Sequence, residues 1–82
     1  MDTASGRLQV MLERLDPARN MYRYYVIALE PTLFGDTALV RQWGRIGARG
    51  VERRDEHPDE TAASAAMERL AASKRRRGYR DL

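Results

Sequence analysis

The stretch "MYRYYVIALE", residues 21–30, decides the fold that this sequence predicts. Tyr, Val and Ile occur in it at high density, and these residue types favour β-strands. Its alternating sets of side chains are Tyr22, Tyr24, Val26 and Ala28 on one side and Met21, Arg23, Tyr25, Ile27 and Leu29 on the other. Since both sets are largely apolar or amphipathic, we expect this strand to lie in the centre of a sheet.

Strand periodicity also precedes this segment. In "RLQVMLERLD", residues 7–16, Leu8, Val10 and Leu12 alternate with Gln9, Met11 and Glu13. That alternation predicts another strand. Asp-Pro and Asn in "DPARN", residues 16–20, indicate a turn between the two strands.

Two further strands are predicted after residue 30. "PTLFGD", residues 31–36, reads as a turn that leads into a third strand, "TALVRQWGRIG", residues 37–47. Two glycines in "GARG", residues 47–50, suit a tight reversal. The highly charged "VERRDEH", residues 51–57, is expected to be a fourth strand at a sheet edge, where charge discourages edge-to-edge pairing.

The segment "HPDETAASAAMERLAASKRRRGY", residues 57–79, predicts a helix. Asp59 is the expected N-cap and Gly78 the expected C-terminal stop. The predicted apolar stripe consists of Ala63, Ala66, Met67 and Leu70. Strands followed by one helix predict an α+β fold, in which a small antiparallel sheet of about four strands carries one C-terminal amphipathic helix packed on one face. The other face is expected to stay at least partly open.

Size and composition limit the kind of protein this is. A chain of 82 residues is one domain at most, and 43% hydrophobic with 33% charged residues suits a soluble globule. We expect residues 1–7 to be a disordered tail and residues 8–82 to form the single domain. The sequence has no cysteine, no apolar run of the roughly 18 residues that span a membrane, and no apolar signal core. A cytoplasmic location without a membrane partner is therefore expected.

The charge of the chain indicates an anionic partner. The net charge is +3, and 14 of the 15 basic residues are arginines. Arginine contacts phosphate in a bidentate manner, although an Arg- and Ala-rich chain also arises from biased coding.

The segment "RQWGRIGARG", residues 41–50, holds the single tryptophan. Strand alternation places Arg41, Trp43 and Arg45 on one face, and we expect the helix to cover the other face. The three side chains would then project together toward solvent, with the indole available for base stacking and the arginines for phosphate. Gly44 would allow a sugar-phosphate backbone to approach closely, and Arg49 is a further candidate contact.

A structural role for the same residues remains open. A lone tryptophan in a small domain is often part of the core, with flanking arginines shielding its edge. A bulge at Gly44 would also send Arg45 to the opposite face.

The Trp-Gly-Arg triplet at residues 43–45 resembles the motif after which WGR domains are named. The aromatic-rich strand before it, Gly47 and Gly50 after it, and the closing "RRGY" extend the resemblance over roughly residues 8–82. The resemblance implies a small α+β unit that binds near a DNA break, as in DNA-dependent poly(ADP-ribose) polymerases. It implies that Trp43 packs on the sugar or base of a strand terminus and that Arg45 supports this contact.

The resemblance has limits. These 82 residues contain no ADP-ribosyl transferase domain, so polymerase catalysis is not carried over. The chain also ends at "GYRDL", without the further Lys- and aromatic-rich stretch of the polymerase domains, and is more similar to the short bacterial version. Arg41 is included because of its face and not because of the motif.

Other polar groups carry weaker signals. The run "KRRR", residues 74–77, is a possible phosphate-contacting patch, with Lys74, Arg75 and Arg76 as candidate contacts to a nucleic-acid backbone. A solvated helix end stabilised by the helix dipole is favoured as its primary role. His57 reads as a surface-loop residue, since one histidine without cysteine makes no typical metal site. No catalytic constellation is present in the sequence, so we expect no enzyme, no metal and no cofactor.

The sequence thus predicts a non-catalytic module that binds DNA ends, nicks or exposed strands. A protein-interaction module that uses the same face is the alternative, since Trp and Arg are enriched in binding hot spots. Binding of RNA or single-stranded DNA without end preference is a third possibility. The oligomeric state is left open.

Overall fold

The computed structural model describes residues 8–82, and the prediction of a disordered tail at residues 1–7 lies outside this range. Within it the chain forms five strands and one helix. These elements are β1 (Gln9–Asp16), β2 (Met21–Pro31), β3 (Thr37–Arg45), β4 (Val51–His57), α1 (Glu60–Arg76) and β5 (Arg80–Asp81). A short 3-10 turn, Pro17–Arg19, joins β1 to β2 where the sequence predicts a turn.

The strands form one antiparallel sheet in the order β4-β3-β2-β1-β5. β2 lies in the centre, which confirms the prediction from its two apolar faces. The predicted number of about four strands was one short, because β5 has only two residues and such a segment carries no periodicity. It pairs with Leu12 and Glu13 of β1, and the backbone N–H of Leu82 donates to the carbonyl oxygen of Met11 at 3.0 Å.

The hydrophobic core lies between the helix and one face of the sheet. Its buried members are Val10, Leu12, Tyr25, Ile27, Leu29 and Leu39 from the strands and Ala63, Met67 and Ala71 from the helix. The predicted helical stripe is confirmed, with Ala66 and Leu70 partly buried at its border. The small alanine side chains at the contact suit close approach of helix and sheet.

Both ends of α1 follow the sequence prediction. The carboxylate of Asp59 accepts a hydrogen bond from the backbone N–H of Ala62 at 2.8 Å, so Asp59 is the N-cap. At the other end Gly78 has a φ of +98°, a conformation that favours glycine. The chain therefore reverses directly after the helix, and Tyr79 is placed over the sheet before β5 begins.

The helix covers the face of the sheet on which Trp43 lies. Leu39 and Trp43 alternate onto the same side of β3, Leu39 is buried in the core, and Trp43 packs against it. The expectation that α1 covers the opposite face is therefore wrong. The physical reason is that Leu29 and Leu39, which form part of the core beneath the helix, lie on the same face of the sheet as the tryptophan.

Candidate nucleic-acid interface

Trp43 is partly buried, and one side of its ring system is occupied by Tyr25. The two residues are directly paired across β2 and β3, with ring centroids 5.6 Å apart and ring planes at 14°. Tyr25 is itself only 3% exposed, and Tyr79 meets it edge-on with centroids 6.2 Å apart. The indole is thus neither an exposed side chain on an open face nor sealed in the interior. It forms a wall of a recess that lies at the end of the sheet nearest to the C-terminus of α1.

This recess, which we call the aromatic groove, has a volume of about 380 Å³. Its lining residues come from β1, β2, β3, the last turns of α1 and the segment between α1 and β5: Arg14, Met21, Arg23, Tyr25, Trp43, Lys74, Arg77 and Tyr79. Three aromatic rings and four cationic side chains meet there, and none of the lining residues carries a carboxylate. Such a combination of rings and uncompensated positive charge suits an anionic ligand with flat groups.

Lys74 holds its ammonium group over the aromatic rings of the groove. Its Nζ lies 4.4 Å from the centroid of Tyr25 and 5.8 Å from that of Tyr79, which is cation–π distance. Burial of the amine, followed by the positive charges of Arg77 and Arg41, lowers the pKa of Lys74 below its ordinary value of 10.5. The groove therefore concentrates positive charge that an anion would stabilise.

Arg41 faces the same side as Trp43 but is held by partners within the chain. Its guanidinium lies 3.4 Å from Asp55 Oδ2 and donates to the hydroxyl oxygen of Tyr25 at 3.4 Å. The guanidinium carbon also lies 5.6 Å from the Trp43 ring centroid. Among residues 8–82 its buried Nε has no hydrogen-bond partner. Arg41 thus contacts both stacked rings and can hold their orientation, although it does not line the groove.

Arg45 is exposed and lies beside the groove. Its guanidinium donates to the backbone oxygen of Asn20 at 3.0 Å and to Asn20 Oδ1 at 3.2 Å, and its central carbon lies 5.2 Å from the ring centroid of Tyr22. It lines a second recess, of about 250 Å³, which shares Met21 and Arg23 with the aromatic groove. The pairing of Arg45 with Arg23 continues the register of Trp43 with Tyr25, so no bulge interrupts β3 at Gly44.

Gly44 is required by the turn that follows β3. A Cβ atom on Gly44 would lie 2.8 Å from the Cα of Gly50, because the turn folds back against the face of the sheet that α1 leaves uncovered. The Tyr24 hydroxyl and Gln42 Nε2 both donate to the backbone oxygen of Arg49, at 2.8 and 3.2 Å, and fix the turn there. This packing explains Gly44 without a ligand. Arg49 is exposed and is not among the residues that line either recess.

The basic end of α1 contributes unequally to the groove. Lys74 lines it, whereas Arg75 forms two hydrogen bonds to the carboxylate of Asp81, at 2.7 and 2.8 Å, which also raise the pKa of Arg75. Arg76 is exposed and lines neither recess. Arg77, which belongs to the run "KRRR" but not to the three candidate backbone contacts, lines the groove.

Sequence reasoning missed further residues of the groove. Arg14, Arg23, Tyr25 and Tyr79 were not proposed as contacts, although Tyr79 ends the segment "RRGY". They come together only through strand pairing and the reversal at Gly78. The pairing register was the missing signal, since it sets Tyr25 opposite both Leu12 and Trp43.

Residues 8–82 contain neither a candidate metal centre nor a candidate membrane-spanning helix. No group of three or more His, Asp or Glu side chains is placed to hold a metal ion. No helix in this range has the length and apolar character needed to cross a bilayer.

Comparison with known proteins agrees with the fold and the motif. The family model of the WGR domain matches residues 8–82. A relative from Sinorhizobium fredii (strain NBRC 101917 / NGR234), named "Uncharacterized protein y4dW", is 47% identical over 72 residues, which cover 88% of this chain and 35% of the relative. The chain thus spans about a third of the length of that relative. No solved structure matches this chain. With a match over nearly its whole length, the chain belongs to the WGR domain family.

Proposed function

We propose that this chain is a non-catalytic nucleic-acid-binding module that recognises DNA ends or nicks. The observation that supports this most directly is the aromatic groove, in which the partly exposed indole of Trp43 lies among four cationic side chains without a carboxylate. The WGR domain family is known for nucleic-acid binding, which agrees with this chemistry. A cytoplasmic location stays a prediction.

The charges of the groove account for affinity. Arg14, Arg23 and Arg77 offer guanidinium groups that can take phosphate oxygens in a bidentate manner, and Lys74 adds a point charge. Each phosphate that these side chains neutralise releases condensed counterions, so binding should weaken steeply as salt rises. These contacts carry no base sequence information, which suits a module that recognises a break wherever it occurs.

The rings of the groove account for a preference for ends. One face of the indole is already stacked on Tyr25, so only its remaining surface is available to a ligand. A base inside a continuous duplex has both faces covered by its neighbours, whereas a terminal nucleotide leaves one ring face or sugar uncovered. A partly exposed indole at the wall of a recess can accept that single surface, with a stacking contribution of about 1–3 kcal/mol per base.

Binding of three DNA forms tests the proposal. The labelled protein is titrated by NMR with a nicked duplex bearing a 5′-phosphate, the same duplex without the nick, and one of its single strands. We expect the tightest binding for the nicked duplex and the largest shifts at the Trp43 indole and at Tyr79. We expect Trp43→Ala to weaken nick binding by about 5- to 150-fold, which corresponds to 1–3 kcal/mol, and intact-duplex binding much less.

The control variant is Met11→Ala, which shortens an exposed apolar side chain on the uncovered face and should leave all three affinities unchanged. Equal losses on nicked and intact duplex would contradict end recognition. Equal affinity for single strands and nicks would indicate a general single-strand binder. No affinity for any nucleic acid at low salt would contradict the proposal and favour a protein partner for the groove.

A further inference from the structure

The turn between β2 and β3 exposes two large apolar side chains next to each other. Leu33 is 98% exposed and Phe34 is 92% exposed, the two highest values among the large hydrophobic residues at positions 8–82. Single apolar residues on a surface are ordinary, but adjacent ones that make almost no contact with their own chain form an anchor that a partner can bury. We call this turn, residues 32–36, the apolar tip.

The apolar tip is held by its own hydrogen bonds. The hydroxyl of Thr32 donates to the carboxylate of Asp36, and the same hydroxyl oxygen accepts from the backbone N–H of Phe34 at 3.1 Å. The backbone N–H of Thr32 donates to the carbonyl oxygen of Asp36 at 3.0 Å, and Gly35 takes a φ of +93°. Because the turn is closed in this way, Leu33 and Phe34 are presented outward at a low entropic cost of binding.

Acidic residues are concentrated at the end of the sheet that carries the apolar tip. Segments 30–36 and 55–60 contain six of the twelve acidic residues and no Lys or Arg: Glu30, Asp36, Asp55, Glu56, Asp59 and Glu60. Pairing of Thr37 with both Pro31 and His57 brings the two segments to the same end of the sheet.

Part of this acidic charge has no ion-pair partner among residues 8–82. Glu30 is paired with Arg54 at 3.0 Å, and Asp55 lies 3.4 Å from both Arg41 and Arg53. The other four carboxylates have no Lys or Arg at ion-pair distance among residues 8–82. They are Asp36, Glu56, Asp59 and Glu60.

The apolar tip and the aromatic groove lie at opposite ends of the sheet. Tyr25 lines the groove, and β2 continues for six residues from it to Pro31, which is about 20 Å of extended strand. The tip of one molecule therefore does not reach its own groove. The acidic residues at this end of the sheet also repel phosphate and anionic lipid surfaces, so a nucleic acid or a membrane is a poor occupant.

The two ends are complementary to each other. The tip offers a leucine and a phenylalanine at the acidic end of the sheet, and the groove offers three aromatic rings together with four cations. We propose that the apolar tip of one molecule inserts into the aromatic groove of a second copy of this chain. This rests on the same groove as the proposed function, but it does not require that the groove binds nucleic acid.

Three consequences follow from such a contact. The contact is heterologous, because the tip of one molecule meets the groove of another. After two molecules have paired, one of them still has a free tip and the other a free groove, so association continues head to tail unless a ring closes. A small contact between charged ends is weak and salt-sensitive, so the chain is expected to associate at high concentration and low salt. Any ligand of the groove competes with the tip, and a nucleic acid that binds there should dissociate the assemblies.

Sedimentation equilibrium on the whole chain and two variants tests the proposal. The tip variant is Leu33→Ser with Phe34→Ser, and the groove variant is Arg23→Glu with Arg77→Glu; all four side chains are exposed, and circular dichroism verifies the fold. We expect the unaltered chain to associate at low salt and to dissociate at high salt. Each variant alone is expected to lose association by at least about tenfold in Kd.

Mixing the two variants gives the decisive result. The groove variant still has a tip and the tip variant still has a groove, so an equimolar mixture is expected to form a one-to-one dimer and nothing larger. A symmetric interface would not be restored by mixing and would overturn the proposal. A chain that stays monomeric at low salt and millimolar concentration would overturn it too, as would a tip variant that associates as the unaltered chain does.

The same variants separate this proposal from the nucleic-acid function. The tip variant keeps an intact groove and should bind nicked DNA at least as tightly as the unaltered chain. Head-to-tail association without any DNA affinity would refute the proposed function and leave this inference standing. DNA binding by a chain that never associates would refute this inference and leave the proposed function standing.

Discussion

Trp43 stacks on Tyr25, the residue directly opposite it on the neighbouring strand, with ring centroids 5.6 Å apart. Tyr25 is a member of the hydrophobic core, so the orientation of the indole is set by the same packing that holds the helix on the sheet. The candidate site is therefore preorganised by the core, and a ligand meets a ring that is already fixed on one side. Changes in Tyr25 should reach the site through Trp43.

Replacing Tyr25 should reveal this support. Tyr25→Leu removes the ring under the indole, and we expect a loss of unfolding free energy of about 2–4 kcal/mol, from lost aromatic volume and stacking. Nick affinity should fall less than it does in Trp43→Ala. Tyr25→Phe keeps the ring and loses only the hydroxyl that accepts from Arg41, so its nick affinity should stay within about twofold. Urea unfolding and fluorescence anisotropy measure the two effects; equal nick affinity of Tyr25→Leu and the unaltered chain would contradict the role of the stack.

Lys74 is the only lysine of the chain, so a lysine labelled with ¹³C at Cε gives a signal from this side chain alone. Burial and the nearby arginines lower its pKa, and an NMR titration should find the pKa below 10.5. Between this lowered pKa and 10.5 the unfolded chain binds more protons than the folded one, so the contribution of Lys74 to stability rises with pH. A bound phosphate favours the charged amine, so nicked DNA should raise the pKa. An unchanged pKa in the complex would place the phosphates away from Lys74.

Two neighbouring arginines provide a matched test of the groove. Arg77 lines the groove, whereas Arg76 is exposed and lines neither recess. We expect Arg77→Ala to reduce the slope of log affinity against log salt by about one, because one phosphate contact is lost. Arg76→Ala lowers the net charge equally and should leave the slope nearly unchanged. Equal slopes for the two variants would show that the effect is overall charge and not the groove.

The turn after β3 should be sensitive to a methyl group at Gly50. Gly50 has a φ of +77°, and a Cβ atom there would lie 2.3 Å from both the Trp43 carbonyl oxygen and the Tyr24 hydroxyl. Gly50→Ala should therefore cost about 2–4 kcal/mol of unfolding free energy, from backbone strain and overpacking together. The matched control, Gly35→Ala, has a similar φ of +93° but open space around the added atom, and should cost about 1–2 kcal/mol. Denaturant unfolding compares them, and equal costs would show that the turn moves freely.

Local patterns in the sequence were sufficient for most of the fold. The alternation in β1 and β2, the N-cap at Asp59, the stop at Gly78 and the helical stripe around Met67 each depend on residues close together in the chain. β5 was missed because a two-residue strand forms only when the reversal at Gly78 brings it beside β1.

The candidate site was predicted only in part. Of the residues that the sequence proposed as contacts, Trp43 and Lys74 line the groove. Arg41 is held by Asp55 and Tyr25, Arg75 by Asp81, and Gly44 is used by the turn, none of which a local pattern can indicate. Alternation places Trp43 and Leu39 on one side, but it does not say which side the helix covers.

The sequence by itself determined the strands, the helix and its ends, and the family motif, because these depend on side-chain periodicity and backbone preferences within a few residues. Only the tertiary structure decided which side of the sheet the helix covers, and therefore whether the indole is open, sealed or at the wall of a groove. That choice depends on the total apolar area that helix and sheet can bury together, and the strand residues of the core, among them Tyr25, Leu29 and Leu39, lie on the side of Trp43.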